Sequence, residues 1–288
     1  MTALVRRHHH ALEAAGHRLH AEHLIPPHAA AGPTLVFLHE GLGSIGQWRG
    51  FPEQLCAQTG LPGLVYERWG YGHSEPLVGP RPDDYLQREA WDTLPEVLET
   101  CGVAEPPILF GHSDGGSIAL LFAAAYPERT SAAISEAAHV FVDEKCLIGI
   151  RRARDAYRQG NLREGLRRYH GDNTDAMFRG WCDTWLRPDY RDWNMEAELP
   201  RVVCPVLVVQ GEDDEYGTRA QVDAIVAGVA GPTERLWLPG CGHVPTIRRG
   251  KPCWPPPGVS SPGHALILVR NPLENRTQAR KPSCPNSN

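Results

Sequence analysis

Six short runs of apolar and β-branched residues punctuate the chain: Thr34–Leu38, Leu64–Tyr66, Pro107–Phe110, Ala132–Ser135, Pro205–Gln210 and Arg235–Leu238. Each is close to continuous rather than alternating, the pattern of strands covered on both faces. Between them, apolar residues recur at helical spacing around Phe51–Thr59, Asp84–Cys101, Asp114–Tyr126 and Thr218–Val229. Strands alternating with helices predict βαβ units and a mostly parallel sheet, an α/β fold. The earlier stretch HRLHAEHLI, from His17, predicts an antiparallel edge strand.

The rhythm changes between Glu144 and Pro200, where helical spacing, many charges and three tryptophans run on without a strand. This stretch predicts a small helical cap over the sheet, with Trp181, Trp185 and Trp193 read as core packing. After His243 the text changes again, to a basic segment rich in Pro, Ser and Asn whose only acid is Glu274. Proline at that density precludes a long helix and predicts disorder. A shift of reading frame beyond about Pro245 is one explanation of so abrupt a change. The expected organisation is a core over residues 1–143 and 201–245, a cap over 144–200 and an aberrant or disordered tail over 246–288.

Composition narrows the function. The 288 residues are 41% hydrophobic and 22% charged, with a formal net charge of −5. That is globular composition, and nothing in it suggests a nucleic-acid or membrane-surface protein. None of the eight cysteines forms a C-x-x-C or sits at zinc-ligand spacing with histidine, so they read as free thiols in a reducing, cytoplasmic setting. The N-terminus lacks the apolar core of a signal peptide, and the longest apolar run, Ile118–Tyr126, is too short to span a bilayer. The histidines of RRHHH, with His17, His20 and His23, read as a solvated basic terminus rather than a metal site.

The candidate chemistry lies in ILFGHSDGGSIAL, Ile108 to Leu120. Gly111-His112-Ser113-Asp114-Gly115 fits G-x-S-x-G and stands between a predicted strand and a predicted helix, the context that motif requires. A sharp turn there lifts the serine clear of the backbone, and the helix N-terminus favours developing negative charge. Serine needs a base, and the base an orienting acid. Acids follow the Pro205–Gln210 strand at Glu212, Asp213, Asp214 and Glu215, and His243 follows the next strand. An oxyanion hole needs two amides. One falls on Asp114, and the other in the glycine-bearing loop Leu38–Ser44. His112 reads as a wall or packing residue, and His139 as a candidate for the pocket.

In order along the chain, FLHEGLGS, YERWGYGHS, GHSDGG, VQGEDD and GCGHVP resemble the successive motifs of the α/β-hydrolase fold family, covering about Leu35 to Pro245. The resemblance implies Ser113 as nucleophile, His243 as general base and, from the Gly-x-x-Asp spacing, Asp214 as the acid with Asp213 as fallback. It places the second oxyanion amide on Gly41. It also implies no cofactor and no metal. Glu40 departs from the commoner pattern, where glycine follows the histidine. A carboxylate there would oppose an oxyanion unless it turned toward Arg68 or another cation.

The implied activity is that of a serine hydrolase, carboxylesterase-like, cleaving a small-molecule ester or related acyl bond through an acyl-enzyme. A carbon–carbon bond hydrolase or lyase with the same triad, or a slow-turnover ligand receptor, are the alternatives, because the fold hosts all of them.

Overall fold

The computed structural model describes residues 5–244. Their elements run β1 (Arg6–Ala14), β2 (His17–Ile25), β3 (Leu35–Leu38), α1 (Phe51–Thr59), β4 (Gly63–Glu67), α2 (Tyr85–Arg88), α3 (Leu94–Thr100), β5 (Ile108–His112) and α4 (Asp114–Ala125). They continue with β6 (Ala132–Glu136), α5 (Glu144–Gln159), α6 (Leu162–His170), α7 (Thr174–Leu186), β7 (Val206–Gly211), α8 (Arg219–Gly228) and β8 (Thr233–Leu238). The expected tail over 246–288 lies outside the described residues.

The described strands form one eight-stranded sheet in the order β1-β2-β4-β3-β5-β6-β7-β8. The β1–β2 and β2–β4 pairs are antiparallel; every later pair is parallel. Parallel neighbours need crossovers, and the helices supply them on both faces. The continuous apolar runs follow from this. Along β3, Val36 and Leu38 enter one core with Leu64 and Leu109, while Leu35 and Phe37 enter the other with Phe51 and Phe110. The helix α4 is buried at every residue from Asp114 to Ala124. It has no solvent face, so its sequence shows little amphipathic contrast.

Two expectations need correction. The histidine-rich start is exposed at Arg6 to His9, as expected, but it is not an unpaired terminus: Arg6–Ala14 is a strand paired along its whole length with β2. The turn between them holds Ala15 and Gly16, both at positive φ, as a tight two-residue hairpin requires. β1 therefore forms the edge, and His17–Ile25 is not an edge strand but lies between β1 and β4. Arg6 to His9 are exposed, so β1 shows almost no buried periodicity until Leu12 and Ala14.

The helix expected over Asp84–Cys101 is interrupted by a π turn at Glu89–Thr93. Pro95 has no N–H to give the Trp91 carbonyl four residues back. That carbonyl instead accepts the Tyr126 hydroxyl at 2.7 Å.

Residues 144–200 form α5, α6 and α7 and short 3-10 turns. A single isolated bridge joins Phe141 to Asn194 at the two roots of this segment. Asp143 caps α5 by accepting the Cys146 amide at 2.8 Å.

Beneath the sheet Phe110 meets Phe51 at a ring-centroid distance of 5.0 Å, Phe37 at 5.8 Å and Trp48 at 5.9 Å. Phe110→Ala should therefore cost about 3–5 kcal/mol in denaturant unfolding. A loss below about 1 kcal/mol would mean that this aromatic cluster does not hold the sheet.

Candidate active site

The end of β5 and the start of α4 meet at Ser113, whose backbone stands at φ 52° and ψ −116°. A non-glycine residue there is strained by roughly 1–3 kcal/mol, and the surroundings must impose it. They do so through glycine. A β-carbon on Gly111 would stand 2.0 Å from the Gly115 carbonyl oxygen, and one on Gly115 would stand 1.9 Å from that of Leu38. The β3 and β5 strand ends and α4 thus approach at distances no side chain permits. The Ser113 amide donates to Glu136 at 2.8 Å, tying the turn to β6.

His243 Nε2 lies 3.0 Å from Ser113 Oγ, and His243 Nδ1 lies 3.0 and 2.9 Å from the two Asp214 oxygens. All three residues are buried. Asp214 also accepts the Tyr216 and Gly217 amides at 2.7 and 2.8 Å and the Gln210 side-chain amide. Burial alone would raise its pKa. The adjacent His243 and these donors outweigh burial and hold the carboxyl well below the usual carboxylate range. Asp213 is exposed, its amide bonded to the Cys241 carbonyl, and it does not meet His243.

The loop after β3 is fixed by a buried cation. Arg68 donates to the carbonyls of His39 at 3.3 Å and Glu40 at 2.9 Å. His39 Nδ1 also donates to the Glu40 carbonyl, at 2.8 Å. A trans peptide points its N–H opposite its C=O. Anchoring the Glu40 carbonyl on Arg68 therefore turns the Gly41 amide the other way. Gly41 must be glycine, since a β-carbon would fall 2.1 Å from Trp181 Nε1. The Asp114 side chain faces Arg68 at 3.4 Å and accepts the Tyr85 hydroxyl at 2.8 Å, which in turn accepts Trp185 Nε1 at 2.8 Å.

Glu40 reaches Arg68 through its backbone only. Its carboxylate stands 3.5 Å from His112 Nδ1. On the other side of the ring His112 Nε2 donates to the His243 carbonyl at 2.7 Å, while the His243 amide donates to Glu215 at 3.0 Å. Burial opposes charge on both partners, but their mutual hydrogen bond prevails. Glu40 is brought down to about 2. His112 is pushed up to about 9, with Glu136 and the His243 carbonyl assisting. His112 is thus a cationic clamp on the His243 backbone, a role its place beside Ser113 does not reveal.

Above Ser113 lies a cavity of about 250 Å³, lined among others by Gly41, His139, Cys146, Ile150, Leu166 and Trp181. Trp181 and Trp185 serve both the core and this cavity, whereas Trp193 stacks on Tyr190 at 5.9 Å. His139 does reach the pocket, 6.0 Å from the His243 ring. Burial and the nearby His243 lower its pKa.

A strand–turn–helix serine beneath a helical cap, at the C-terminal ends of parallel strands, defines a recognisable class of site. A sequence model of the Alpha/beta hydrolase family matches residues 35–252, and the chain belongs to that family. It is 30% identical over 184 residues to serine hydrolase BPHL of Homo sapiens, a match covering 62% of each protein, and 27% identical to the Mus musculus form over the same share. The chain thus matches just under two thirds of those relatives. Among solved structures it resembles a bacterial membrane phospholipase A, with a TM-score of 0.67, 18% identity and coverage of 92% and 87% of the two chains. It also resembles the enol-lactonase from Burkholderia xenovorans, with a TM-score of 0.63, 18% identity and coverage of 93% and 100%. An esterase from Thermogutta terrifontis gives 0.64, 18%, and 94% and 98%. At such identities these structures share the fold.

The raised His112 pKa has a stability consequence. A histidine raised in the folded state contributes stability fully below its ordinary value of about 6.5, and that contribution fades as pH rises through the folded value. The gap between wild type and His112→Gln in denaturant unfolding should shrink by up to about 3 kcal/mol from about pH 6.5 to beyond 9. A gap constant over that range would show that His112 is not a cation.

Proposed function

We propose that the protein is a serine hydrolase that cleaves a small-molecule carboxylic ester or related acyl bond through an acyl-enzyme. The observation that carries this reading is the unbroken path from Ser113 Oγ to His243 Nε2, and from His243 Nδ1 to Asp214, within a buried pocket.

In this mechanism Ser113 attacks the carbonyl carbon while His243 takes the hydroxyl proton on Nε2. Asp214 keeps the Nδ1 proton in place and stabilises the imidazolium that forms. The Gly41 and Asp114 amides receive the oxyanion, assisted by the N-terminus of α4. The C–O bond of the tetrahedral intermediate breaks, and the leaving alcohol takes the proton from His243. Water then attacks the acyl-enzyme with His243 again as base, releasing acid and free Ser113. No cofactor is required by these steps. The mainly apolar cavity fits a small acyl or alcohol group, and Cys146, Ile150 and Leu166 stand where they would set its size.

Ser113→Ala should lower turnover of nitrophenyl esters by about 10⁴–10⁶ and abolish labelling by a fluorophosphonate. Substantial ester turnover in Ser113→Ala would reject the assignment. Labelling of the wild type without turnover would instead favour a ligand receptor.

The acid can be tested separately. Asp214→Asn should cost about 10⁴ in turnover by presenting the wrong imidazole tautomer, while Asp213→Asn should stay within about threefold of wild type. The reverse order would move the acid to Asp213.

A further inference from the structure

The hairpin that opens the chain brings histidines together in two different ways. β1 and β2 pair with His8 opposite His23, His9 opposite Glu22, His10 opposite Ala21 and Leu12 opposite Leu19. Side chains alternate between faces, so His10 and His23 share one face with Leu12 and Leu19, while His9, His20 and Glu22 share the other. His10 and His23 are diagonal neighbours, with ring centroids 4.8 Å apart.

On the face that His9 and His20 share with Glu22, the histidines already have partners. His9 pairs with Glu22 at 3.1 Å, and Arg7 reaches the same carboxylate at 3.5 Å. His73 pairs with Glu67 at 3.2 Å, and Glu67 also accepts the Ile45 amide. These carboxylates are matched by cations and amides of the protein itself, which leaves little for a metal to gain.

The face of His10 and His23 differs. Leu12 and Leu19 pack there with Val97 and Leu98 of α3. Where that apolar seam reaches the end of α3, Cys101 closes on the two histidines. His10 Nε2 lies 3.5 Å from Cys101 Sγ, and one ligand atom each from His10, His23 and Cys101 all fall within 4.8 Å of one another. Zinc binds imidazole nitrogen at about 2.0–2.1 Å and thiolate sulfur at about 2.3 Å, and a tetrahedral angle between such bonds separates N from S by about 3.5 Å. The His10–Cys101 spacing already matches that edge. Each of the three is half-buried, neither locked in the core nor loose on the surface. They come from two paired strands and a helix end, a rigid frame.

We propose that His10, His23 and Cys101 form a zinc site that staples the N-terminal hairpin to the end of α3, apart from the Ser113 pocket. The donor set of two imidazoles and one thiolate suits Zn2+ and disfavours Mg2+ or Ca2+. Binding exchanges the Cys101 S–H proton for a Zn–S bond and releases that proton to solvent, while both histidines bind as neutral imidazoles. The fourth position is left for water or for His8, which stands opposite His23 in the strand register. Sequence spacing hides the site because its ligands are 13 and 78 residues apart (His10 to His23, and His23 to Cys101).

The test uses the full chain, stripped of metal by a chelator and titrated with Co2+ and with Zn2+. One equivalent of Co2+ should give a near-ultraviolet thiolate charge-transfer band together with the visible bands of tetrahedral cobalt. Cys101→Ser should abolish the charge-transfer band and His23→Ala should weaken binding at least tenfold, while His9→Ala leaves both unchanged. Zn2+ should raise the melting temperature of the wild type and not that of Cys101→Ser. Should Cys101→Ser fail to fold, alkylation of wild-type Cys101 by iodoacetamide provides the reading. Cys101 is the half-exposed one among the six cysteines of the described residues, and Zn2+ should slow its alkylation at least tenfold. Absence of the thiolate band, binding lost on His9→Ala instead, or alkylation indifferent to Zn2+ would each overturn the proposal.

Discussion

Everything at the candidate site depends on how closely α4 approaches the ends of β3 and β5. Main chain meets main chain there, with the Leu38 carbonyl over Gly115 and the Gly115 carbonyl over Gly111. That contact leaves Ser113 no relaxed backbone, so the serine is held at positive φ by packing rather than by its own preference. The cost is local and of order 1–3 kcal/mol. It is offset by a helix buried on all sides, whose Ile118, Leu121 and Phe122 are removed from water at about 1.5–3 kcal/mol each. A strained turn of this kind survives because the helix behind it has nowhere else to go.

Charge completes what packing begins. Arg68 is buried beneath the loop after β3 and is held by the Asp114 carboxylate, the His39 and Glu40 carbonyls and the Tyr71 ring face at 4.6 Å. A buried guanidinium is tolerable only when so many of its donors are met. The same bonds orient two peptide groups beside Ser113. On the opposite flank the His112 cation spans Glu40 and the His243 carbonyl. Both sides of the pocket thus use an internal cation to aim main-chain atoms, and in both cases the cation lies behind the pocket wall.

The sheet was legible where strands are buried on both faces. β3, β5, β6 and β7 read as apolar runs because each successive residue enters one core or the other. β1 was not legible, since Arg6 to His9 face solvent and the strand exists through its pairing with β2. The π turn before α3 was hidden too, because its driving force is a carbonyl freed by Pro95 and claimed by Tyr126, 31 residues later. At the site, the motifs located Ser113, the acid run and His243. Choosing between Asp213 and Asp214 by proximity to His243 needed the turn after β7, which sends one acid to solvent and the next beneath the imidazole. His112 and Glu40 belong to two different motifs, and their pairing needed the distance between two strand ends.

That last case bears on how the fold tolerates the departure at Glu40. A carboxylate one residue before the proposed oxyanion amide of Gly41 would be expected to repel a developing negative charge. Its effect depends on the field of the pair rather than of the carboxylate alone. With His112 protonated 3.5 Å away, Glu40 and His112 present a dipole of zero net charge, whose influence falls off faster with distance than that of an ion. Because His112 also holds the His243 carbonyl, the group that neutralises Glu40 is the group that steadies the His243 backbone. The glutamate and the histidine are therefore one feature, and replacing Glu40 alone leaves the buried His112 cation without its counterpart.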